Sequence, residues 1–379
     1  MSIYLDSNAT SQVHPRVVDA MMPYLTDSWH NPSSGYSAGR KVKAAVERAR
    51  EQIASLIGAE PEEIVFTGCG TESNNMAIRH LADEVGTDGR ILVSEIEHSA
   101  VLRPTEALAE QGYEVEQIGV DGEGRLDLAA LDAAIDSTRP GFVSIMWANN
   151  ETGVVQPMAD ICERAKRAGW RVHTDAIQAV GKVPVRVDEV PVDLLSISGH
   201  KFHAPKGIGV LFIRSGSDFA PMIRGGGQER GARSGTENVP YIVGIGEAAA
   251  IMQEELSGGG MDRVQQLRDQ LESKLAGRIE GVALNGSREH RTGNVAHVSF
   301  EGCVAGEMLP LLDSAGLQCS AGSACMTGKN QPSHVQKAMG FSDERAFSSL
   351  RFSLSIFSSE EEVSEAVGII ADLVETVRR

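Results

Sequence analysis

The hydrophobic positions of this chain follow two alternating patterns, one typical of helices and one typical of buried strands. Between residues 42 and 57 the apolar residues recur at spacings of three and four, and Gly58 follows them, which predicts an amphipathic helix. Farther along, helix-length segments separate short apolar runs, which are EIVFT, RILVS, GFVSIMW, WRVHT, DLLSIS and VLFIR. Strands that alternate with helices predict a mostly parallel sheet covered by helices.

The pattern changes after about residue 260. A predicted helix, MDRVQQLRDQLESKLAG, precedes alternating apolar segments around NVAHVSF and a closing helix that begins at Ser359 with glutamates in its first turn. We therefore predict an α/β protein in three parts. A segment at 1–14 would pack with the small domain, a large domain would span 15–260, and a smaller α+β domain would span 261–379.

The charge composition of the chain argues against two classes of binding partner. The 379 residues include 52 acidic and 35 basic ones, and the formal net charge of −17 argues against direct binding to nucleic acid or to an anionic membrane surface. No stretch approaches the roughly 20 apolar residues of a membrane span, and the first residues do not resemble a secretory signal. Five scattered cysteines favour a reduced compartment over a disulfide framework. We expect a soluble, cytoplasmic protein.

Polar residues that can bind or react come directly after the apolar runs. In an open parallel sheet the ligand lies at the carboxyl ends of the strands, so these residues are expected to meet there. They are Gly70, Thr71, His98, Asn150, Asp175, Gln178, Ser198, His200 and Lys201.

The loop GCGTESNN leads from a predicted strand into a helix. The free N–H groups and the dipole of a helix start favour an anion, most naturally a phosphate, although a helix cap by Thr71 explains the loop equally well. The loop is not a Walker motif, because no Gly-Lys-Ser/Thr follows it. The glycines of RGGGQERG at 224–231 follow no clear strand and do not have dinucleotide-binding spacing.

Lys201 lies in a strand-end loop beside these phosphate-binding groups. Most lysines are solvated surface residues, but this position also fits an amine that binds a carbonyl cofactor and must lose its proton to do so. Asp175 can face a pyridinium nitrogen or can be a buried cap or ion pair. His98 can stack on a ring, and Asn150 and Gln178 can contact its phenolic oxygen. Together these groups indicate pyridoxal phosphate.

A second candidate centre lies in QCSAGSACMTG. Cys319 ends an apolar run and is predicted to be a buried small side chain, whereas Cys325 lies in a segment rich in glycine and serine and is a candidate nucleophile. Arg351 falls inside an apolar strand pattern and needs an anionic partner, either a protein carboxylate or that of a substrate. No His/carboxylate spacing such as H-E-x-x-H predicts a metal site.

These motifs occur in a recognisable order. From YLDSNATS through GTESNN, EHSAV, NNETG, HTDAIQAVGK, SGHKFHAPKG, RSGTENV and CSAGSAC to LRFSL, nearly the whole chain resembles the cysteine desulfurases, class V members of the fold-type I pyridoxal phosphate enzymes. The resemblance implies a fold-type I transferase with a large, mostly parallel-sheet domain and a smaller C-terminal domain. Its cofactor would be pyridoxal 5'-phosphate.

The resemblance also implies a role for each residue. Lys201 would bind the cofactor covalently, Asp175 would pair with the pyridine nitrogen, and His98 would stack on the ring. Thr236 would reach the phosphate in the neighbouring subunit of a homodimer. The other implied contacts are Gly70, Thr71, Ser198 and His200 to the phosphate, Asn150 and Gln178 to the ring oxygen, and Arg351 with Asn150 to the substrate.

The implied reaction converts L-cysteine to L-alanine. Lys201 would remove the α-proton, the Cys325 thiolate would take the sulfur as a persulfide, and His98 would carry protons. An acceptor protein would then receive the sulfur for iron–sulfur assembly, tRNA or cofactor thiolation, or DNA phosphorothioation. Many relatives have RFSLGRF where this chain has RFSLSIF, so Ser355 and Ile356 replace Gly and Arg near the expected site mouth.

Three other functions remain open at this point. A selenocysteine lyase or a cysteine sulfinate desulfinase would use the same scaffold but depends less on a loop cysteine. A simple aminotransferase would not need CSAGSAC. An interaction platform for sulfur transfer would not need the complete set of Lys201, Asp175 and Arg351.

Overall fold

The largest sheet is the one that the apolar runs predict. The protein is described here by a computed structural model that covers residues 2–322 and 331–378. The strands of this sheet are β2 (Ile64–Thr67), β3 (Arg90–Ser94), β4 (Glu114–Ile118), β5 (Gly141–Ser144), β6 (Arg171–Asp175), β7 (Leu194–Ser198) and β8 (Gly209–Ile213). Their order is β2–β8–β7–β6–β5–β3–β4, and β8 alone among them runs antiparallel to its neighbours.

Both faces of this sheet are buried, which explains the unbroken apolar runs. Successive side chains of a strand point to opposite faces. Leu195 accordingly belongs to one hydrophobic cluster, with Ile53 and Ile245, whereas its neighbour Leu194 belongs to another, with Ile78. A parallel sheet covered on both sides reads as continuous rather than alternating hydrophobicity.

The sequence pattern did not predict β4. Its residues, EVEQI, are mostly half-buried or exposed, and it lies at the edge of the sheet, where it pairs with β3. An edge strand buries fewer side chains than a central one, so it lacks the apolar run that identifies the others.

Helices cover the large sheet, and further helices follow its last strand along the chain. The predicted helix at 42–57 is confirmed, and Gly58 ends it with a φ of 70°. The helices are α1 (Pro15–Thr26), α2 (Ser37–Ile57), α3 (Gly70–Val85), α4 (Ser99–Glu110), α5 (Leu128–Ala134), α6 (Met158–Arg167), α7 (Val239–Ser257), α8 (Gly260–Arg278), α9 (Ala305–Ser314), α10 (His334–Ala338), α11 (Asp343–Phe347) and α12 (Glu360–Val377). None of the helices described here is long and apolar enough to cross a membrane.

Two smaller sheets are built from strands that follow the helix break at 257–260 and from one strand near the start of the chain. They are formed by β9 (Val282–Leu284), β10 (Val295–Phe300) and β12 (Ser349–Ser353), which are antiparallel in the order β12–β10–β9, and by the parallel pair β1 (Ile3–Tyr4) and β11 (Leu317–Gln318). The predicted C-terminal helix is confirmed, with Ser359 and Glu362 forming a capping box. The division at 1–14, 15–260 and 261–379 stays a prediction.

Candidate active site

The strand-end residues meet in one cavity. It has a volume of about 260 Å³ and lies where β2, β5, β6 and β7 end. Because these four strands are parallel, their carboxyl ends share one edge of the sheet. The predicted site residues that line it are Gly70, Thr71, His98, Asn150, Asp175, Gln178, Ser198, His200, Lys201 and Arg351.

Lys201 enters the cavity from a 3-10 turn, Gly199–Lys201, that follows β7 directly. Its Nζ donates hydrogen bonds to the carbonyl oxygens of Asn8 at 2.6 Å and Ala9 at 2.8 Å. Two carbonyl acceptors from the N-terminal segment therefore aim the amine. The amine stays half-buried at the cavity wall, within reach of a ligand.

Asp175 is the last residue of β6 and is 5% exposed. Its Oδ2 accepts from Asn74 Nδ2 at 2.7 Å, and its Oδ1 accepts from the N–H of Ile177 at 3.0 Å. Burial raises the pKa of this carboxyl; His98 when protonated, the hydrogen bonds from Ile177 and Asn74, and the charge of Lys201 oppose the increase. A cationic ligand atom beside Asp175 would offset that desolvation and favour the carboxylate.

His98 precedes α4 and caps it. Its Nδ1 accepts from the N–H of Ala100 at 3.1 Å, so the neutral ring carries its proton on Nε2. Burial lowers the pKa of His98, which favours the neutral ring at pH 7. The adjacent Glu97 is fully buried and accepts from Ser94 Oγ at 2.5 Å and from the N–H of Met146 at 2.8 Å, and burial raises its pKa to about 8. These bonds fix the turn that carries His98.

The start of α3 presents backbone N–H groups that have no intrahelical acceptor. The first intrahelical bond runs from the N–H of Ser73 to Cys69 at 3.1 Å, so the N–H groups of residues 70–72 are left for other acceptors. The helix begins at Gly70, capped by Cys69 rather than by the Thr71 side chain. A Cβ at Gly70 would lie 2.3 Å from Ile177 Cδ1 and 3.1 Å from Ser198 Cβ. Only glycine lets the helix start approach the strand ends this closely.

His200 also lines the cavity. Its Nδ1 lies 3.2 Å from Thr10 Oγ1, and its carbonyl oxygen accepts from the N–H and the hydroxyl of Ser11 at 2.8 and 2.9 Å. Burial lowers the pKa of His200 to about 4, so the ring is neutral at pH 7 and offers a hydrogen bond rather than a charge.

Arg351 comes to the cavity from β12, a strand of the three-stranded sheet. It is 1% exposed, and it donates to Asp6 Oδ1 at 2.8 Å and to the carbonyl oxygen of Asn150 at 2.9 Å. Its Nε has no hydrogen-bond partner among the described residues. The buried arginine therefore has a protein carboxylate, Asp6, which Ser320 Oγ also contacts at 2.7 Å, and its Nε is a donor that these two contacts leave unused.

Sequence reasoning did not single out the N-terminal residues of the site. Asn8, Ala9 and Asp6 lie within YLDSNATS, whose place in the motif series was the available signal. Asn74, the partner of Asp175, lies four residues beyond Gly70 on α3, one turn along the helix. Their roles depend on contacts with distant parts of the chain, which no local pattern encodes.

Two other residues singled out by the sequence, Thr236 and Cys319, are not among the described residues that line the cavity. Thr236 is exposed on the segment before α7, and its predicted contact with a neighbouring subunit stays a prediction. Cys325 lies outside the described residues. Cys319 is half-buried and packs against the hydrophobic core, and burial raises its pKa to about 12. Its expected role as a packed small side chain is consistent with these contacts.

Comparisons with known proteins identify the family to which this chain belongs. The sequence pattern of the family described as Aminotransferase class-V matches residues 3–365. A cysteine desulfurase of Trichormus azollae is 44% identical over 376 residues, which are 99% of this chain and 94% of that protein. This protein belongs to the class-V aminotransferases, within the cysteine desulfurase family.

Two solved structures extend the comparison within the class-V family. A NifS-like protein has a TM-score of 0.93 and 36% sequence identity, with 99% of this chain and 100% of that chain covered. A structure of SspA in complex with cysteine has a TM-score of 0.84 and 35% identity, with 94% and 100% covered. The predicted α/β, fold-type I architecture is thereby confirmed.

The fold family implies pyridoxal phosphate, and the cavity of this class-V protein fits that group. A buried carboxylate, Asp175, stands ready for the pyridinium nitrogen, and the amine of Lys201 stands ready for the aldehyde. At the start of α3, Gly70 lets the helix pack closely against Ile177 and Ser198, which brings free N–H groups that suit a phosphate to the strand ends. Amine, carboxylate and anion site thus line one cavity.

Proposed function

We propose that this protein is a pyridoxal phosphate-dependent cysteine desulfurase that converts L-cysteine to L-alanine and passes the sulfur to Cys325. The observation that carries the proposal is the convergence of Lys201, Asp175 and Arg351 on one cavity. Relatives named cysteine desulfurase at 43–44% identity over nearly the whole chain support it. The structure of SspA with cysteine supports cysteine as the substrate.

The described residues would hold the cofactor at three points. When bound, pyridoxal phosphate supplies an electron sink for a carbanion at the α-carbon of an amino acid. Asp175 would keep the pyridine nitrogen charged, because a buried carboxylate favours a cation beside it. His98 would lie against the ring, and the N–H groups of 70–72 would hold the phosphate. The other contacts that we propose are Thr71, Ser198 and His200 to the phosphate and Asn150 and Gln178 to the ring oxygen.

The substrate would be held by its carboxylate and deprotonated by a lysine. Arg351 would receive the carboxylate, since its guanidinium lines the cavity and has an unpartnered Nε. Lys201 Nζ would take the α-proton, because its turn fixes it at the cavity wall. His98, neutral at pH 7, has its Nε2 proton to give and would carry protons between thiol groups.

Cys325 would be the sulfur acceptor. Its thiolate would attack the substrate sulfur, and the C–S bond would break with its electron pair going to the β-carbon. Protonation of that carbon, and return of the α-proton from Lys201 to the α-carbon, would give alanine. The persulfide on Cys325 would then pass to an acceptor protein. We further propose a cytoplasmic homodimer in which Thr236 reaches the partner's phosphate site, while the pathway served, iron–sulfur assembly, thiolation or DNA phosphorothioation, depends on that acceptor.

One experiment tests the reaction and the cofactor together. The absorbance spectrum of the purified protein would be recorded before and after L-cysteine, with alanine and sulfide assayed in the same sample. We expect a visible band that changes with cysteine and, with a thiol reductant present to release the persulfide sulfur as sulfide, equal amounts of alanine and sulfide. The C325S variant should keep the band and lose sulfide release.

Two results would overturn the proposal. A band without sulfide release from cysteine would exclude the desulfurase, and selenocysteine or cysteine sulfinate would be the next substrates to assay. No band after addition of pyridoxal phosphate would exclude the cofactor and leave the interaction platform as the better explanation.

A further inference from the structure

Lys182 is a buried lysine whose partners are amides. It is 8% exposed in the turn that follows β6, and its Nζ donates to Asn8 Oδ1 at 2.9 Å and to Gln178 Oε1. Within residues 2–322 and 331–378, no carboxylate lies at ion-pair distance from this amine. Burying an amine without a counter-charge is costly, so the position of Lys182 calls for a reason.

The backbone turn at Gly181 directs Lys182 into the protein interior. Gly181 has a φ of 78°, and a Cβ at that residue would lie 3.0 Å from Phe202 Cβ, so the chain turns inward at a point where only glycine fits. Burial, followed by the charges of Lys201 and Arg351, lowers the pKa of Lys182 well below its ordinary value. The turn therefore holds the amine in surroundings that disfavour its charge.

In the structure both partner amides turn their oxygens toward Lys182. An amide accepts through its oxygen and donates through its nitrogen, and the lysine directs N–H donors at both partners. Gln178 must therefore turn Oε1 toward Lys182 and its Nε2 away, where it donates to the carbonyl oxygen of Asn8 at 3.0 Å. Asn8 likewise turns Oδ1 toward Lys182 and donates from Nδ2 to Asn150 at 3.2 Å.

We propose that Lys182 is a positioning residue for the cofactor site, which fixes Gln178 so that the amide presents N–H donors, and not its oxygen, to the cavity. Gln178 has two N–H groups, and Asn8 takes one, so the second is available to a ligand oxygen. Without Lys182 the amide can rotate and turn its oxygen toward an anionic ring oxygen, which would repel it.

The same network connects Lys182 to Lys201. The carbonyl oxygen of Asn8 accepts from Lys201 Nζ at 2.6 Å and from Gln178 Nε2 at 3.0 Å. The backbone carbonyl of Asn8 thus positions both Lys201, which would bind the aldehyde, and Gln178, which would face the neighbouring ring oxygen. Lys182 holds the side chain of Asn8. This inference rests on the proposed function, because it assigns a donor to the pyridoxal phosphate ring oxygen.

A double-mutant cycle between Lys182 and Gln178 tests the inference. The dissociation constant of pyridoxal phosphate from the apo-protein and the wavelength of the visible band would be measured for wild type, K182M, Q178A and the double variant. We expect K182M alone to weaken binding about 3- to 10-fold and to shift the band, as the loss of one hydrogen bond predicts. In the Q178A background, K182M should change binding less than about twofold.

Additive effects in the cycle would overturn the inference, because a lysine that only supports the fold would act independently of Gln178. K274M is the control, since Lys274 lies exposed on α8 and contacts Ser364 Oγ at 2.9 Å. It should leave both measurements unchanged in either background.

A second variant serves if K182M does not fold. Q178E keeps a partner for Lys182 but presents no N–H to the cavity or to the carbonyl oxygen of Asn8, so we expect its band to shift as in Q178A. A wild-type band in Q178E would overturn the inference. If wild type itself shows no band or no alanine and sulfide, the proposed function fails; if wild type shows both and the cycle is additive, only the inference about Lys182 fails.

Discussion

Two walls of the cavity come from different parts of the chain and differ in what they supply. The sheet wall, defined by the strand-end residues 70–71, 98, 175 and 198–201, supplies the amine, the carboxylate, the ring and the anion site. The N-terminal wall, defined by residues 6–9 together with Arg351 of β12, supplies carbonyl acceptors and a paired guanidinium. The sheet wall carries the groups that would react, and the N-terminal wall aims them.

The difference shows how a reactive side chain can be oriented without a change in the strand that carries it. Lys201 comes from a turn directly after β7, yet its amine donates to the carbonyl oxygens of Asn8 and Ala9, more than 190 positions earlier in the chain. A hydrogen bond from a separately folded segment restrains a flexible side chain without altering the strand that carries it. Changes in the sheet wall should therefore remove chemistry, and changes in the N-terminal wall should weaken binding and orientation.

Removal of the amine from the sheet wall should have the largest effect. K201A should abolish the visible band and reduce alanine formation by at least about 10²–10⁴-fold, the range that a positioned proton-transfer group contributes. Absorbance and an alanine assay check this. K206A is the matched control, because Lys206 is exposed in the same loop and should retain both properties. A coloured, active K201A protein would remove Lys201 from the mechanism.

A change in the N-terminal wall should affect the substrate more than the cofactor. R351A should raise the KM for cysteine about 10- to 150-fold, as the loss of a charged hydrogen bond predicts, with little change in the affinity for pyridoxal phosphate. D6N should raise KM less, since an asparagine oxygen can still accept from Arg351. Steady-state kinetics with cofactor titration measures both. If R351A weakened the affinity for pyridoxal phosphate as much as it raised the KM for cysteine, the N-terminal wall would not act mainly on the substrate.

The close approach at Gly70 gives a smaller, structural test of the sheet wall. G70A places a Cβ 2.3 Å from Ile177 Cδ1, so we expect the free energy of unfolding to fall by about 1–3 kcal/mol and cofactor affinity to weaken. Urea unfolding of the apo-protein measures the change. G277A is the control: Gly277 lies in α8 with nothing near its Cβ position, and alanine there should raise the free energy by about 0.5–1 kcal/mol.

The pH dependence of the free energy of unfolding tests the lowered pKa of Lys182, whose amine contacts Asn8 of the N-terminal wall and Gln178. This pKa is lowered in the folded protein by burial, Lys201 and Arg351, and returns to about 10.5 on unfolding. Between the two values the unfolded chain binds the extra proton, so the free energy of unfolding of wild type should rise with pH relative to that of K182M, and should level off above 10.5. The slope should not exceed about 1.4 kcal/mol per pH unit.

Urea unfolding of the apo-proteins at a series of pH values up to 10.5 measures this difference. The neighbouring His200 and His203 have pKa values lowered to about 4 by burial, so they do not titrate in the alkaline part of this interval. A difference that stays flat throughout would show that the pKa of Lys182 is not lowered.

The sheet wall could be predicted from the sequence to a large extent. Buried parallel strands appear as continuous apolar runs, and the topology of such a sheet brings their carboxyl ends to one edge, so Asp175, His98 and Lys201 could be grouped before any coordinates were known. The edge strand β4 could not be predicted, because its residues are only partly buried.

The N-terminal wall depended on tertiary structure. The sequence alone predicted the fold class, which is confirmed, and the strand-end candidates that line the cavity, because hydrophobic periodicity and the residues at strand ends are local properties of the chain. The tertiary structure decided that Asp6 pairs with Arg351, that Asn8 aims Lys201, and that Lys182 fixes Gln178. These contacts join residues of separate segments whose meeting depends on how the sheets and helices pack, and the period of an apolar pattern carries no record of that packing.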